Sequence, residues 1–212
     1  MTDRRQIYLV DDDEAVRRSA GFMLKTAGFA VESFVSGVEF LKGVGTLEPG
    51  CILLDVRMPG MDGLEVQRVL GERGITFPVI VLTGHGDVNV AVSAMKAGAI
   101  DFIEKPFEKA VLLSALEEGF SQIARSDRNR ARTAEAATRL NVLTPREYDV
   151  LEGLVHGHPN KTIAYDLGIS ARTVEIHRAN LMAKLNVRSL SEALRIAFAA
   201  GLGDAPAKTA ET

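Results

Sequence analysis

Four apolar runs in the first half of the chain lead into residues able to do phosphate or metal chemistry. Ile7-Tyr8-Leu9-Val10 runs into Asp11, Asp12 and Asp13, and Cys51-Ile52-Leu53-Leu54 into Asp55. Val79-Ile80-Val81-Leu82 runs into Thr83, and Phe102-Ile103 is followed after one residue by Lys105. Carboxylates packed together repel one another and shift toward the neutral form unless a cation lies between them. A hard divalent ion such as Mg²⁺ suits the place, because it takes few carboxylates and completes its shell with water. A carboxylate beside such an ion, with an ammonium opposite, can attack a phosphoryl group, since both cations neutralise the phosphoryl oxygens.

These groups meet only if the runs are neighbouring parallel strands. Val31 to Val35 makes a fifth run, and several of the five are continuous rather than alternating, as in strands buried on both faces. Between them lie segments of helical spacing: Val16, Ala20, Met23, Leu24 and Ala27; Leu64, Val66, Val69 and Leu70; Val88, Ala91, Val92 and Met95. Each stops at a glycine (Gly28, Gly71 with Gly74, and Gly98), a helix-end signal. Five strands alternating with five helices predict an α/β domain with a doubly wound five-stranded parallel sheet. Such sheets bind ligands beyond the carboxyl ends of their strands, where Asp11, Asp12, Asp55, Thr83 and Lys105 fall. An isolated aspartate at a strand end is ordinarily a turn residue, so the joint pattern carries the inference. Asp13 and Glu14 read as a helix start, favoured by the dipole, and His85 as a surface loop residue.

Past Leu143 the pattern is purely helical. Thr144-Pro145-Arg146-Glu147 and Ser189-Leu190-Ser191-Glu192 are capping boxes, the first with proline at the first helical position. Asn160 is expected to cap a helix ending at Gly168, and Ser170 one running to about Leu185. Helix, short turn, helix is the layout that places its second helix in the DNA major groove. The domains predicted are 1–122, an α/β domain; 123–139, a helical linker; 140–202, a small all-α helix-turn-helix domain; and 203–212, a disordered tail. The linker reads either as a solvated connection after the last sheet-covering helix or as the continuation of that helix.

Charge divides the same way: residues 1–123 carry net −6 and residues 124–212 net +3. The overall −3 excludes a uniformly basic nucleic-acid coat protein. A single cysteine, Cys51, excludes an internal disulfide and suits a reducing compartment. No apolar run reaches membrane-span length and the N-terminus is no signal peptide, so a soluble, cytoplasmic protein is expected.

The motifs Leu9-Val10-Asp11-Asp12, Leu53 to Gly63, Val81 to Gly86 and Lys105-Pro106-Phe107 closely resemble the receiver domain of bacterial two-component response regulators. The resemblance covers residues 6–120 and implies a flavodoxin-like fold with Asp55 as phospho-acceptor. It implies Asp11, Asp12, Asp55 and the backbone carbonyl of Arg57 around Mg²⁺, Lys105 as phosphoryl counterion, and a cis Lys105-Pro106 bond. Thr83 and Phe102 would form the switch pair, the ring turning into space the hydroxyl vacates.

Leu143 to Glu147, Asn160 to Ala164, Ser170 to Arg178 and Lys184-Leu185 resemble the LuxR-type DNA-binding domain, and the whole chain resembles a FixJ-type response regulator. On the expected recognition helix, off the Val174, Leu181 and Leu185 stripe, the groove-facing residues are Arg172, Thr173, Glu175, Ile176, Arg178 and Ala179. Glu175 can accept from cytosine and Arg178 can pair with guanine or phosphate, while Lys161, Thr173 and Lys184 are expected to hold phosphates. Residues 139–200 have a surplus of only two positive charges, so dimerisation is expected, with the apolar face of the last helix (Leu190, Ala193, Leu194, Ala197) available for it. The implied partners are a histidine kinase, double-stranded promoter DNA, RNA polymerase and a second copy formed on phosphorylation, with no membrane. A phosphate-ester hydrolase with Asp55 as nucleophile is disfavoured, since such sites need a second acid where Arg57 stands. A quorum-sensing regulator would share the second domain alone.

Overall fold

The structure, a computed structural model, describes residues 5–84 and 88–203. His85 and most of the tail expected to be disordered lie outside the described residues. The chain divides into two compact units, Met1–Ser126 and Asp127–Thr212.

In the first unit, strands β1 (Gln6–Val10), β2 (Ala30–Phe34), β3 (Cys51–Asp55), β4 (Val79–Thr83) and β5 (Asp101–Glu104) pair in parallel in the order β2-β1-β3-β4-β5. Helices α1 (Glu14–Thr26), α2 (Gly37–Gly43), α3 (Gly63–Glu72), α4 (Val88–Lys96) and the start of α5 (Lys109–Leu140) connect and cover the strands. Side chains alternate between two apolar layers. Tyr8, Val10, Ile52, Leu54 and Val81 pack with Phe40, Val66 and Leu70 on one face; Ile7, Leu9, Leu53, Ile80 and Leu82 pack with Leu24, Leu112 and Leu116 on the other. β1 and β3 are both flanked by strands and covered on both faces, which explains their unbroken apolar runs.

Asp13 caps α1, its carboxylate accepting from the N–H groups of Ala15 and Val16. The helix ends before Gly28, whose φ of 97° lies in the left-handed region that glycine adopts without a Cβ penalty. Asp62 and Glu65 form a capping box at the start of α3.

The second unit is built from α6 (Pro145–Val155), α7 (Asn160–Leu167), α8 (Ala171–Lys184) and α9 (Leu190–Ala199). Its core joins Val150, Leu151, Ile163, Val174, Leu181, Leu185, Ile196 and Ala197 with Ala136 and Leu140 from the last turns of α5. The linker segment is helical throughout, as part of the 32-residue α5. Arg139 of that helix donates to the Leu185 carbonyl at the end of α8 (2.9 Å), satisfying one of the acceptors that a helix end leaves open.

Two expectations are corrected here. Asn160 does not cap α7: Pro159 takes the cap position without a side-chain bond, and Asn160 Oδ1 accepts from Arg178. The apolar face of α9 is not free for dimerisation. Ala193 and Ala197 are buried in the unit's own core, and Leu190 and Leu194 pack against it.

Gly63 opens α3 directly against the end of β3, where a Cβ would meet the Asp55 carbonyl oxygen at 2.4 Å. Gly71, in the same helix, has open space around it. Gly63→Ala is expected to destabilise the first unit by about 1–3 kcal/mol. Gly71→Ala is expected to stabilise it by about 0.5–1 kcal/mol. Denaturant midpoints followed by circular dichroism check both.

Candidate functional site

The strand order brings the carboxyl ends of β1, β3, β4 and β5 to one edge, at the point where the winding reverses between β1 and β3. Asp11 follows β1 and is fully buried, while Asp55 ends β3 and is 6% exposed. Lys105, just past β5, reaches across: its ammonium donates to Asp11 Oδ2 (2.7 Å) and Asp55 Oδ1 (2.8 Å). The other Asp11 oxygen accepts from the Asp13 N–H (2.9 Å), and Arg17 donates to the Asp11 backbone carbonyl (2.6 Å). Asp12 is exposed, yet one oxygen from each of Asp11, Asp12 and Asp55 lies within 4.8 Å of the others. Arg57 stands in the loop after β3, tied down by the Val56 N–H on Leu82 and the Gly63 N–H on Val56.

Burial pushes the Asp55 carboxyl above its ordinary range, Asp11 and Asp12 adding to the shift and Lys105 opposing it. Burial acts to lower the Lys105 ammonium, but the bonds to Asp11 and Asp55 outweigh it and hold the group above its ordinary value. Three carboxylates against one ammonium leave an excess of negative charge in a largely buried place. Those hard oxygen donors fit a hard divalent cation.

Thr83, buried at the end of β4, donates its hydroxyl to the Gly84 carbonyl at 3.3 Å. Phe102 on β5 is 46% exposed, its ring out of the core. Lys105-Pro106 is cis.

In the second unit, Ser170 caps α8 through the Thr173 N–H, and the two hydroxyls also bond at 2.8 Å. Val174 and Leu181 point into the core, leaving Arg172, Glu175 and Ile176 exposed on the opposite face, with Arg172 donating to Glu175 at 3.2 Å. Lys161 is exposed on α7. Two of the expected DNA contacts are engaged inside the domain. Arg178 donates to Asn160 Oδ1 at 2.8 Å, holding α8 to α7. Lys184, expected to hold phosphate, donates to Glu147 at 2.7 Å and joins α8 to the start of α6, its side chain remaining 38% exposed.

Sequence reasoning missed two residues. Glu147 read as a capping-box acid only, although its burial follows from its place beside the apolar stripe of α6. Tyr165, one turn beyond Lys161 on α7, is 87% exposed. An aromatic ring at a solvent-facing helical position was the signal that could have marked it.

A receiver-type sheet with an acidic triad and lysine, joined by a helix to a helix-turn-helix unit, defines a phosphorylation-responsive transcription regulator. Residues 7–117 match the response regulator receiver domain, and residues 141–197 match the bacterial regulatory proteins of the luxR family. The transcriptional regulatory protein FixJ of Azorhizobium caulinodans is 48% identical over 97% of both chains. Among solved structures, the response regulator StyR superposes with a TM-score of 0.73 at 41% identity, over 92% of this chain and 98% of its own. Full-length FixJ from B. japonicum superposes at 0.60 and 44% identity, over 94% of this chain and 98% of its own. The chain belongs to the FixJ-type two-component response regulators. It is accordingly a transcription regulator, with a receiver that implies a histidine kinase and a LuxR-type domain that implies DNA binding. Among the described residues no helix is long and apolar enough to cross a membrane.

Burial acts to raise the Glu147 carboxyl, but bonds from Lys184 and Thr144 outweigh it and hold the group below its ordinary range. A carboxyl lowered in this way stabilises the fold above its unfolded range, and the support is lost as pH falls through the lowered value. Lys184→Met leaves Glu147 buried without its cation and is expected to cost about 1–3 kcal/mol at neutral pH. The deficit shrinks on acidification as Glu147 takes up a proton. Calorimetric unfolding of variant and wild type at neutral and acidic pH checks this.

Proposed function

We propose that Asp55 is the phospho-acceptor and that the side chains of Asp11, Asp12 and Asp55, with the backbone carbonyl of Arg57, hold Mg²⁺. The observation that carries this reading is the ammonium of Lys105 shared between two buried carboxylates beside a third. When bound, the ion supplies charge neutralisation for phosphoryl oxygens. Asp55, oriented through one oxygen by Lys105, attacks phosphorus with the other. The new O–P bond forms as the P–N bond to the kinase histidine breaks, and the departing imidazole nitrogen keeps the electron pair. Lys105 then pairs with the oxygens of the transferred group, which adds about −1.5 to −2 charges.

Thr83 and Phe102 carry the consequence outward. The Thr83 hydroxyl exchanges the Gly84 carbonyl for a phosphoryl oxygen, and the Phe102 ring turns into the space it leaves. This alters a surface on which Val92 and Met95 of α4 are also exposed. That surface joins two receivers into a phosphorylation-dependent homodimer. Residues 123–139 connect each receiver to its reading head, and two heads meet half-sites about 34–36 Å apart. Arg172, Thr173, Glu175, Ile176 and Arg178 face the bases and adjoining phosphates, and Lys161 holds the backbone. Lys184 is left to its internal pairing. Promoter control of this kind takes place in the cytoplasm and is read out through RNA polymerase.

Size-exclusion chromatography with a small-molecule phosphodonor, with and without operator-length DNA, tests the reading. Wild type is expected to dimerise and bind DNA tightly on phosphorylation, and Asp55→Asn to do neither. A phosphodonor response retained in Asp55→Asn overturns the assignment, and repeated turnover of a phosphate ester would mark a hydrolase instead. Chelating divalent ions is expected to abolish phosphorylation of the wild type, measured as loss of the intact-mass increment of one phosphoryl group.

A further inference from the structure

The loop between α6 and α7 carries two histidines that neither the acidic site nor the reading helix uses. His156 is the C-cap residue of α6, Gly157 follows with φ 76°, and the His158 N–H returns to the Gly153 carbonyl at 3.0 Å. Pro159 restrains His158 from the other side, since a residue before proline is confined to extended backbone. Both backbones are therefore fixed, and the two imidazoles stand with ring centroids 6.0 Å apart.

The Nδ1 atom of His156 lies 2.9 Å from the Glu152 carbonyl oxygen. A carbonyl can only accept, so Nδ1 carries the proton and Nε2 of the neutral ring holds the lone pair. Metal-binding histidines are oriented in this way, through a bond from their other nitrogen to a carbonyl or carboxylate. Nearby, His158 Nδ1 is 3.8 Å from Asp166 Oδ2, too long for a hydrogen bond. His156, His158 and Asp166 line one cavity of about 220 Å³ together with Asp149 and Glu152.

We propose that His156, His158 and Asp166 form a site for a divalent transition metal, Zn²⁺ being the best suited, separate from the hard-cation site at Asp55. Zinc bonds of about 2.0–2.2 Å to nitrogen and oxygen place tetrahedral ligand atoms roughly 3.3–3.5 Å apart and two imidazole centroids roughly 5 Å apart. The observed 3.8 Å from His158 to Asp166 and 6.0 Å between the rings exceed these by an ångström or less, while the ligand atoms of all three residues do not yet lie within 4.8 Å of one another. Rotation of the exposed His158 and Asp166 side chains closes the gap. The oxygens of Asp11, Asp12 and Asp55 already lie together, whereas these ligands converge only on binding. Two imidazoles and one carboxylate leave a fourth position for water, and imidazole donors favour zinc over Mg²⁺. With one ligand at the end of α6, one in the loop and one on α7, the ion clamps the loop that leads into the first helix of the DNA-reading pair.

The test uses the full chain in excess Mg²⁺, titrated with Zn²⁺ and followed by long-range ¹H–¹⁵N spectra of its four histidines. The expected result is that His156 and His158 shift with one equivalent while His85 and His177 do not. His158→Gln and Asp166→Asn are each expected to weaken binding at least about tenfold. Absence of saturable shifts, shifts at His85 or His177 instead, or undiminished affinity in His158→Gln overturns the proposal.

Discussion

A single ammonium between two buried carboxylates is the constraint on which the receiver's architecture turns. Asp11 has no solvent access and Asp55 almost none, and each would be costly as an isolated anion there. Two unit charges about 4 Å apart interact by about 4 kcal/mol at an effective dielectric of 20, so Lys105 outweighs much of the carboxylates' mutual repulsion. That balance requires the ends of β1 and β3 to be adjacent and the end of β5 to lie within one lysine length of both. The order β2-β1-β3-β4-β5 meets both demands. The close approach of α3 to the Asp55 carbonyl through Gly63 belongs to the same constraint, because it sets the path of the loop leaving the site.

In the proposed reading, the remaining negative charge is what makes the site responsive. One positive charge among three carboxylates leaves room for further cationic charge, and a transferred phosphoryl group would change the balance again. On the same proposed reading, Thr83, buried at the sheet edge, and Phe102, on the surface, pass such a change outward. A buried hydroxyl whose hydrogen bond, among the described residues, is to a neighbouring carbonyl at 3.3 Å is a weakly held group, easily exchanged for a stronger acceptor.

Much of the first unit was legible in the sequence, because strands covered on both faces write themselves as continuous apolar runs and helix ends write themselves as glycines. The convergence of Asp11, Asp12, Asp55 and Lys105 was legible for the same reason, each being the first polar residue, or nearly so, beyond a run. The second unit was less transparent. Its helices and caps were readable, but the partners that long charged side chains find inside the domain were not: nothing in the spacing of Arg178 and Lys184 marks their internal bonds. Only the fold reveals that Asn160 and Glu147 stand close enough to take them. The apolar stripe of α9 was ambiguous in kind, since spacing marks a face that will be buried without naming what buries it.

The last turns of α5 place a boundary where family limits do not. Ala136 and Leu140 are core residues of the second unit, and Arg139 closes the carbonyl end of α8, whereas the luxR-family match begins at residue 141. A reading head severed at that point would lose two apolar contacts and a helix-end bond at once. The transferable module, whether exchanged between regulators in evolution or grafted onto another sensor, is therefore the four-helix domain together with the helical turns that precede it.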